Sequence, residues 1–249
     1  MKQERAFRTR SDLILAAAEV FDEKGYVAAR LAAISQQAHV SVGALHFHFE
    51  NKEALAAAVE RQAAAGLRSV MDEARTRRAG PALQLLINAS HALMVKLRND
   101  VVVRAGLRLN SDVAYGCGEA DLRNEWEQCV QRLLDEAERE GTLADGVAPH
   151  NAVTLVVSAT AGIEMLGRRS SSWLSPYRMT GIWQMLLTSL AAEDIRPRLN
   201  PAGAEADSPE QRWSTSLRRL DRVSAAHRPA DRSAPVLAAG ARTRISTGS

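Results

Sequence analysis

Residues 30–52 read R-L-A-A-I-S-Q-Q-A-H-V-S-V-G-A-L-H-F-H-F-E-N-K, two short apolar-periodic segments, 31–38 and 41–49, with His39-Val40 between them. Neither is long enough to hold a helix alone in water. Each must pack on the other and on a third element, the arrangement of a helix-turn-helix unit, whose second helix enters the DNA major groove. At about 100° per residue, Leu45 and Phe49 share one face of the second segment, and Gly43, Ala44, His46 and Phe47 turn away from it. Leu45 and Phe49 are therefore expected in a core, and His46 and Phe47 outside. There, small Gly43 and Ala44 would let the backbone approach base edges. The competing reading is a surface helix on which Phe47 covers a neighbouring segment.

The third element precedes this stretch. Leu13, Ala17 and Phe21, widened by Ile14 and Ala18, make an amphipathic helix that Thr9 or Ser11 would cap and Gly25 would stop after Lys24. Asn51 caps a fourth helix with Glu53 in its first turn, Ala-rich early and running to about residue 78 before Ala79-Gly80-Pro81. Helical patterns recur at 82–99, 100–110, 120–140, 149–167 and 176–192, punctuated by Gly116-Cys117-Gly118, Gly141, Asp145-Gly146 and Pro149. No strand alternation is visible, and an aromatic content of 4% beside abundant Ala favours helix over sheet. The expected fold is all-α: a three-helix domain over 1–50, a larger helical domain over 51–199, and a tail over 200–249. Pro, Gly, Ser, Arg and Ala dominate that tail, which is expected to be disordered apart from one short amphipathic helix through Leu217, Leu220 and Val223.

Charge is unevenly placed. The net +3 conceals 22 basic against 24 acidic residues in 1–195 and 10 against 5 in 196–249, so the basicity belongs to the tail. Lys2, Arg5, Arg8 and Arg10 nevertheless make a basic arm that could meet phosphates or a minor groove, or stay a solvated terminus. The most apolar stretch, 152–167, is shorter than a membrane span and carries Glu164. No apolar signal region follows Met-Lys-Gln-Glu-Arg, so a cytoplasmic protein without membrane contact is expected. Cys117 and Cys129 suggest neither a disulfide framework nor a zinc site. Gly116-x-Gly118 is too short for a nucleotide fingerprint, and His46-x-His48 does not share a helix face as metal ligands would. With no nucleophile context either, no catalytic residue, metal or cofactor is expected.

Residues 11–53 resemble the N-terminal domain of the tetracycline-repressor (TetR) family. The likeness runs through Ile14-x-x-Ala17-Ala18-x-x-x-Phe21-x-x-x-Gly25-Tyr26, Ile34, Ala38-x-Val40-Ser41-x-Gly43-Ala44-Leu45-x-Phe47-His48-Phe49 and Asn51-Lys52-Glu53-x-Leu55. K-Q-E-R-A near the start and G-A-L-H-F-H-F-E-N-K are similar to the γ-butyrolactone-receptor branch. Three departures stand out: His39 where the turn usually has Gly, His46 for a usual Tyr, and Val42 for a frequent Lys. His is among the residues that tolerate a left-handed turn. The resemblance implies a DNA-facing set of Arg8, Arg10, Arg30, Ser41, Val42, Gly43, Ala44, His46, Phe47, His48 and Lys52. For Lys52 the physical argument agrees, because it flanks a helix N-terminus that favours an anion.

The same branch has the pattern W-x-x-x-V-x-x-L-L-x-x-A-x-x-x-G-x-L, which Trp126 to Leu143 fits, with the Trp lining a ligand pocket. The implied pocket set is Gln62, Leu86, Met94, Trp126, Val157 and Thr160. From the residues alone, Trp126 reads as plain core, Thr160 either orients a ligand or bonds to its own preceding turn, and Gln62 is either a pocket amide or exposed. Val153, Val156, Val157 and Ile163, with Trp183, Leu186, Leu187 and Leu190, exceed what one core needs, and a two-fold dimer interface would use the surplus. The function implied is that of a homodimeric repressor on palindromic operator DNA, released by a butyrolactone-like or antibiotic effector and controlling antibiotic production. The alternative is a ligand-independent DNA-binding co-regulator with no working pocket.

Overall fold

The computed structural model describes residues 2–76, 80–116 and 118–203, and the short helix expected near Leu217 lies outside them. The described residues are all-α, with helices α1 (Lys2–Ala28), α2 (Leu31–Gln37), α3 (Val42–His48), α4 (Lys52–Thr76), α5 (Ala82–Asn99), α6 (Val101–Asn110), α7 (Leu122–Arg139), α8 (Pro149–Gly167) and α9 (Pro176–Leu190). Two short 3₁₀ turns and one isolated bridge, Leu143 to Ala191, complete the regular structure.

Helix α1 differs from the sequence expectation at one end. The apolar stripe begins at Leu13, but the helix begins at Lys2. Neither Thr9 nor Ser11 caps it: their hydroxyls donate to the Arg5 and Phe7 carbonyls one turn back. That segment has no Gly or Pro to stop it, and the Glu4–Arg8 pair supports it. At the other end, Gly25 breaks the helical geometry with φ 77°, as expected for a left-handed stop.

Leu13, Phe21, Ile34, Leu45 and Leu55 are fully buried together, so α2 and α3 are held by α1 and the start of α4. His39 does take the left-handed turn, at φ 54°. Holding a non-glycine residue there costs about 1–2 kcal/mol, against about 0.5–1 kcal/mol for the greater unfolded entropy of glycine. His39→Gly should therefore stabilise the fold by up to about 1 kcal/mol, read as a higher midpoint in thermal unfolding.

Beyond the head, α5 lies at the centre of the larger bundle, against α4, α7 and α9, while α6 is wedged between α1 and α4. The sequence boundary at 50/51 falls at the cap of α4, where Asn51 Oδ1 accepts from the Ala54 amide at 2.7 Å. The α4–α6 approach depends on a glycine. A β-carbon on Gly106 would collide with Ala63 Cβ. The resulting strain, about 1–3 kcal/mol, outweighs the roughly 1 kcal/mol that alanine adds to helix propensity. Gly106→Ala should lower the denaturant midpoint.

Candidate DNA interface and effector cavity

Ser41 starts α3, its Oγ accepting from the Ala44 amide at 3.1 Å. Leu45 and Phe49 point inward at 0% and 4% exposure, and the opposite face carries exposed Val42, Gly43, His46 and Phe47. Phe47 is 82% exposed and touches His48 edge-on, ring centroids 5.2 Å apart. The face is thus an aromatic ring, an imidazole and small residues standing outside the head. It does not cover a neighbouring segment, which disposes of the competing reading of Phe47.

The cations of the expected set are not equally placed. Arg30 is exposed at the N-cap of α2 and makes no capping bond through its side chain. Arg8 pairs with Glu4 in the open, and such a pair is readily exchanged for phosphate. Arg10 stacks its guanidinium over the Phe49 ring at 5.0 Å. Lys52 is the departure: its ammonium donates to the Tyr26 and Ala29 carbonyls at 3.0 and 3.2 Å and lies over the Tyr26 ring at 4.3 Å. Two of its three donors therefore fasten the end of α1 to the start of α4.

Tyr26 leads from that fastening into the bundle. Its hydroxyl donates to Glu53 at 2.9 Å and its amide to Asp112 at 3.2 Å, and its ring meets Tyr115 at 4.8 Å. Burial, reinforced by Glu53, pushes the Tyr26 hydroxyl up to about 12, and its bond to the carboxylate helps hold Glu53 below the usual range, after the backbone amide. Beside it, Arg104 pairs with Asp22 at 2.8 Å and Arg108 donates to the Asp22 carbonyl, tying α6 to α1.

Sequence reasoning missed Glu60. It sits on α4 at 0% exposure, accepting from Asn110 Nδ2 and the Tyr115 hydroxyl at 3.0 Å each and from the Glu119 amide at 3.2 Å. A β-carbon on Gly118 would collide with its carboxylate. Burial raises the Glu60 carboxyl despite these donors, and raises the Tyr115 hydroxyl as well. An acid whose folded value is raised favours folding at low pH and loses that contribution as pH rises through the raised value. The stability difference between wild type and Glu60→Gln should therefore shift toward the variant as pH rises through the raised Glu60 value, measured by urea unfolding.

Deeper in the bundle, a mostly apolar cavity of about 220 Å³ is lined by Leu67, Leu93, Leu97, Leu107, Trp126, Val157 and Thr160, with Arg123 and Glu164 at its edge. The Trp126 indole donates to Thr160 Oγ1 at 3.0 Å, and the Thr160 hydroxyl lies 2.9 and 3.0 Å from the Val156 and Val157 carbonyls. Glu164 is held by Arg123 at 3.0 Å and Arg168 at 2.6 Å. Of the expected pocket set, Trp126, Val157 and Thr160 come together here. Three do not. Gln62 is exposed on α4, out of phase with inward Ala63 and Leu67. Leu86 and Met94 are packed solid in the core, at 0% and 1% exposure, away from the cavity lining.

Fold and site together define a helix-turn-helix DNA-binding regulator with a cavity-bearing helical body. Residues 13–59 match the bacterial regulatory proteins of the tetR family. The A-factor receptor protein of Streptomyces griseus is 28% identical over 207 residues, spanning 81% of this chain and 71% of that protein. A crystal structure of a gamma-butyrolactone receptor (ArpA-like protein) superposes with TM-score 0.70 at 27% identity, covering 80% of this chain and 96% of the other. CprB from Streptomyces coelicolor, in complex with its biological operator sequence, gives TM-score 0.69 at 27% identity, over 82% of this chain and 98% of CprB. The chain therefore carries a TetR-family DNA-binding domain over residues 13–59 and is similar over most of its length to γ-butyrolactone receptors. No helix among the described residues is long and apolar enough to cross a membrane.

Proposed function

We propose that the protein is a homodimeric repressor that reads a palindromic operator with α3 and is released by a small, largely apolar effector bound beside Trp126 and Thr160. Antibiotic biosynthesis is the proposed target, in keeping with a similar structure, 27% identical at TM-score 0.62, described as the molecular basis for control of antibiotic production by a bacterial hormone. The observation that carries the reading is the exposed Val42–Gly43–His46–Phe47 face on a helix whose other side is fully buried. Arg8, Arg10 and Arg30 supply phosphate contacts, Ser41, Ala44 and His48 flank the reading face, and Lys52 acts chiefly by fixing the head to α4.

Of the residues counted in the sequence, Val153, Val156, Ile163, Trp183, Leu187 and Leu190 are already buried within one chain, whereas Val157 and Leu186 are half-buried. The apolar surplus is instead Leu155 and Met165 on α8 and Met185 on α9, at 52%, 60% and 75% exposure, with Gly162 and Gly181 open to close approach. A two-fold pairing of α8 and α9 with their copies would bury that surface.

Effector binding would shift the population toward a conformer with misplaced reading heads, by the difference in its affinity for the two states. Tyr26, Tyr115 and Glu60 connect head and bundle along α4, and would carry that shift. One observation favours the second reading, a ligand-independent co-regulator: the Trp126 indole and Thr160 hydroxyl already satisfy each other. A gel shift on promoter fragments that the protein retains, titrated with butyrolactones and candidate antibiotics, separates the two. Release by one class supports the effector reading, and retention against all of them supports the co-regulator.

A further inference from the structure

Residues 31–49, which make up α2, the turn and α3, hold no lysine, arginine, aspartate or glutamate. α3 itself has no asparagine or glutamine either. The pairings that best tell one base from another, Arg or Lys on guanine and Asn or Gln on adenine, are therefore not open to it. Ser41, just before α3, already accepts from the Ala44 amide, and a serine hydroxyl discriminates little between bases.

What α3 presents instead is largely apolar. At about 100° per residue, Val42, His46, Gly43 and Phe47 follow one another round its outward arc. Val42 is 43% exposed and Phe47 82%, and a β-carbon on Gly43 would meet nothing nearer than Ser41 Oγ at 3.8 Å. Two apolar side chains thus flank an imidazole and a bare stretch of backbone. The major-groove feature that such a surface can read is the C5-methyl group of thymine, which apolar side chains contact. Arg8, Arg10 and Arg30 lie outside α3, and phosphate contacts from them would place the head without carrying sequence information.

Given that α3 is the helix that enters the groove, as proposed above, we infer that the head selects its half-site through thymine methyl groups packed against Val42 and Phe47. His46 adds hydrogen bonding between them.

Fluorescence anisotropy of the full chain on a promoter fragment that it retains, made with thymine or with uracil in the footprinted half-sites, is the test. Uracil keeps every hydrogen-bonding group of thymine and lacks only the methyl. A buried methyl is worth about fourfold and two half-sites count it twice, so uracil should weaken binding by about tenfold or more. Uracil confined to the flanks should change nothing. Val42→Ala and Phe47→Ala should each shrink the thymine-to-uracil ratio, with thermal unfolding confirming that each variant is folded. Equal binding of the two duplexes, a ratio unchanged in both variants, or a larger loss from 7-deazapurines, which lack the N7 acceptor, would each overturn the inference. If the duplexes bind equally while Phe47→Glu still abolishes binding, α3 remains the reading helix and only the methyl readout falls.

Discussion

Phe47→Glu should abolish operator retention without changing thermal stability. The side chain is 82% exposed and packs against little besides His48, so its removal opens no cavity. A carboxylate there would face phosphates and base edges. Loss of one reading contact costs about 1–3 kcal/mol. In a dimer the loss occurs twice, giving a fall on the order of a hundredfold or more, with added like-charge repulsion. Fluorescence anisotropy on a labelled promoter fragment, together with a thermal melt of the same sample, checks both halves of this result. Retained affinity in a folded variant would mean that α3 does not read the DNA.

Trp126→Ala should have the largest effect on stability. The indole is only 5% exposed and bonded to Thr160, so truncation leaves both a cavity and a broken hydrogen bond. Large-to-small changes of this kind cost about 3–5 kcal/mol, a sizeable part of the roughly 5–15 kcal/mol that holds a domain folded. The midpoint should fall by about 6–20 °C for a chain of this size. An unfolding shift of that size would obscure any effect on ligand release. Trp126→Phe is the cleaner probe of function, because it keeps an aromatic ring and removes the N–H bond with a much smaller loss of volume. It should leave operator affinity unchanged while raising the effector concentration needed for release. Unchanged release would assign Trp126 to the core alone.

The parts of the fold that were legible in the sequence are those set by local periodicity and local chemistry. Leu45 and Phe49 buried beside exposed His46 and Phe47 follow from the helical angle alone, and Gly25 and His39 take the left-handed turns their positions demand. What was not legible depends on phase or on partners distant in the chain. Gln62 and Leu67 lie on the same Ala-rich helix, and nothing local says which faces the bundle. Glu60, within A-A-A-V-E-R-Q, reads as a solvated charge; only the fold brings Asn110, Tyr115 and the Glu119 amide around it. Lys52 shows the same limit. A lysine beside a helix N-terminus suggests an anion, yet carbonyls at the end of α1 arrive first. In α8 and α9 six of the eight apolar residues counted as surplus are taken up by the chain's own core, because a helix that is apolar on several faces does not reveal which face its own chain covers.

The most direct measurement is a hydroxyl-radical footprint of the protein on a promoter fragment that it retains. Two reading heads related by a dyad should protect two patches on one face of the duplex, one helical turn of roughly 34–36 Å apart or a multiple of it, and the Phe47→Glu variant should leave no footprint. A single continuous patch, or protection unchanged in that variant, would contradict the account.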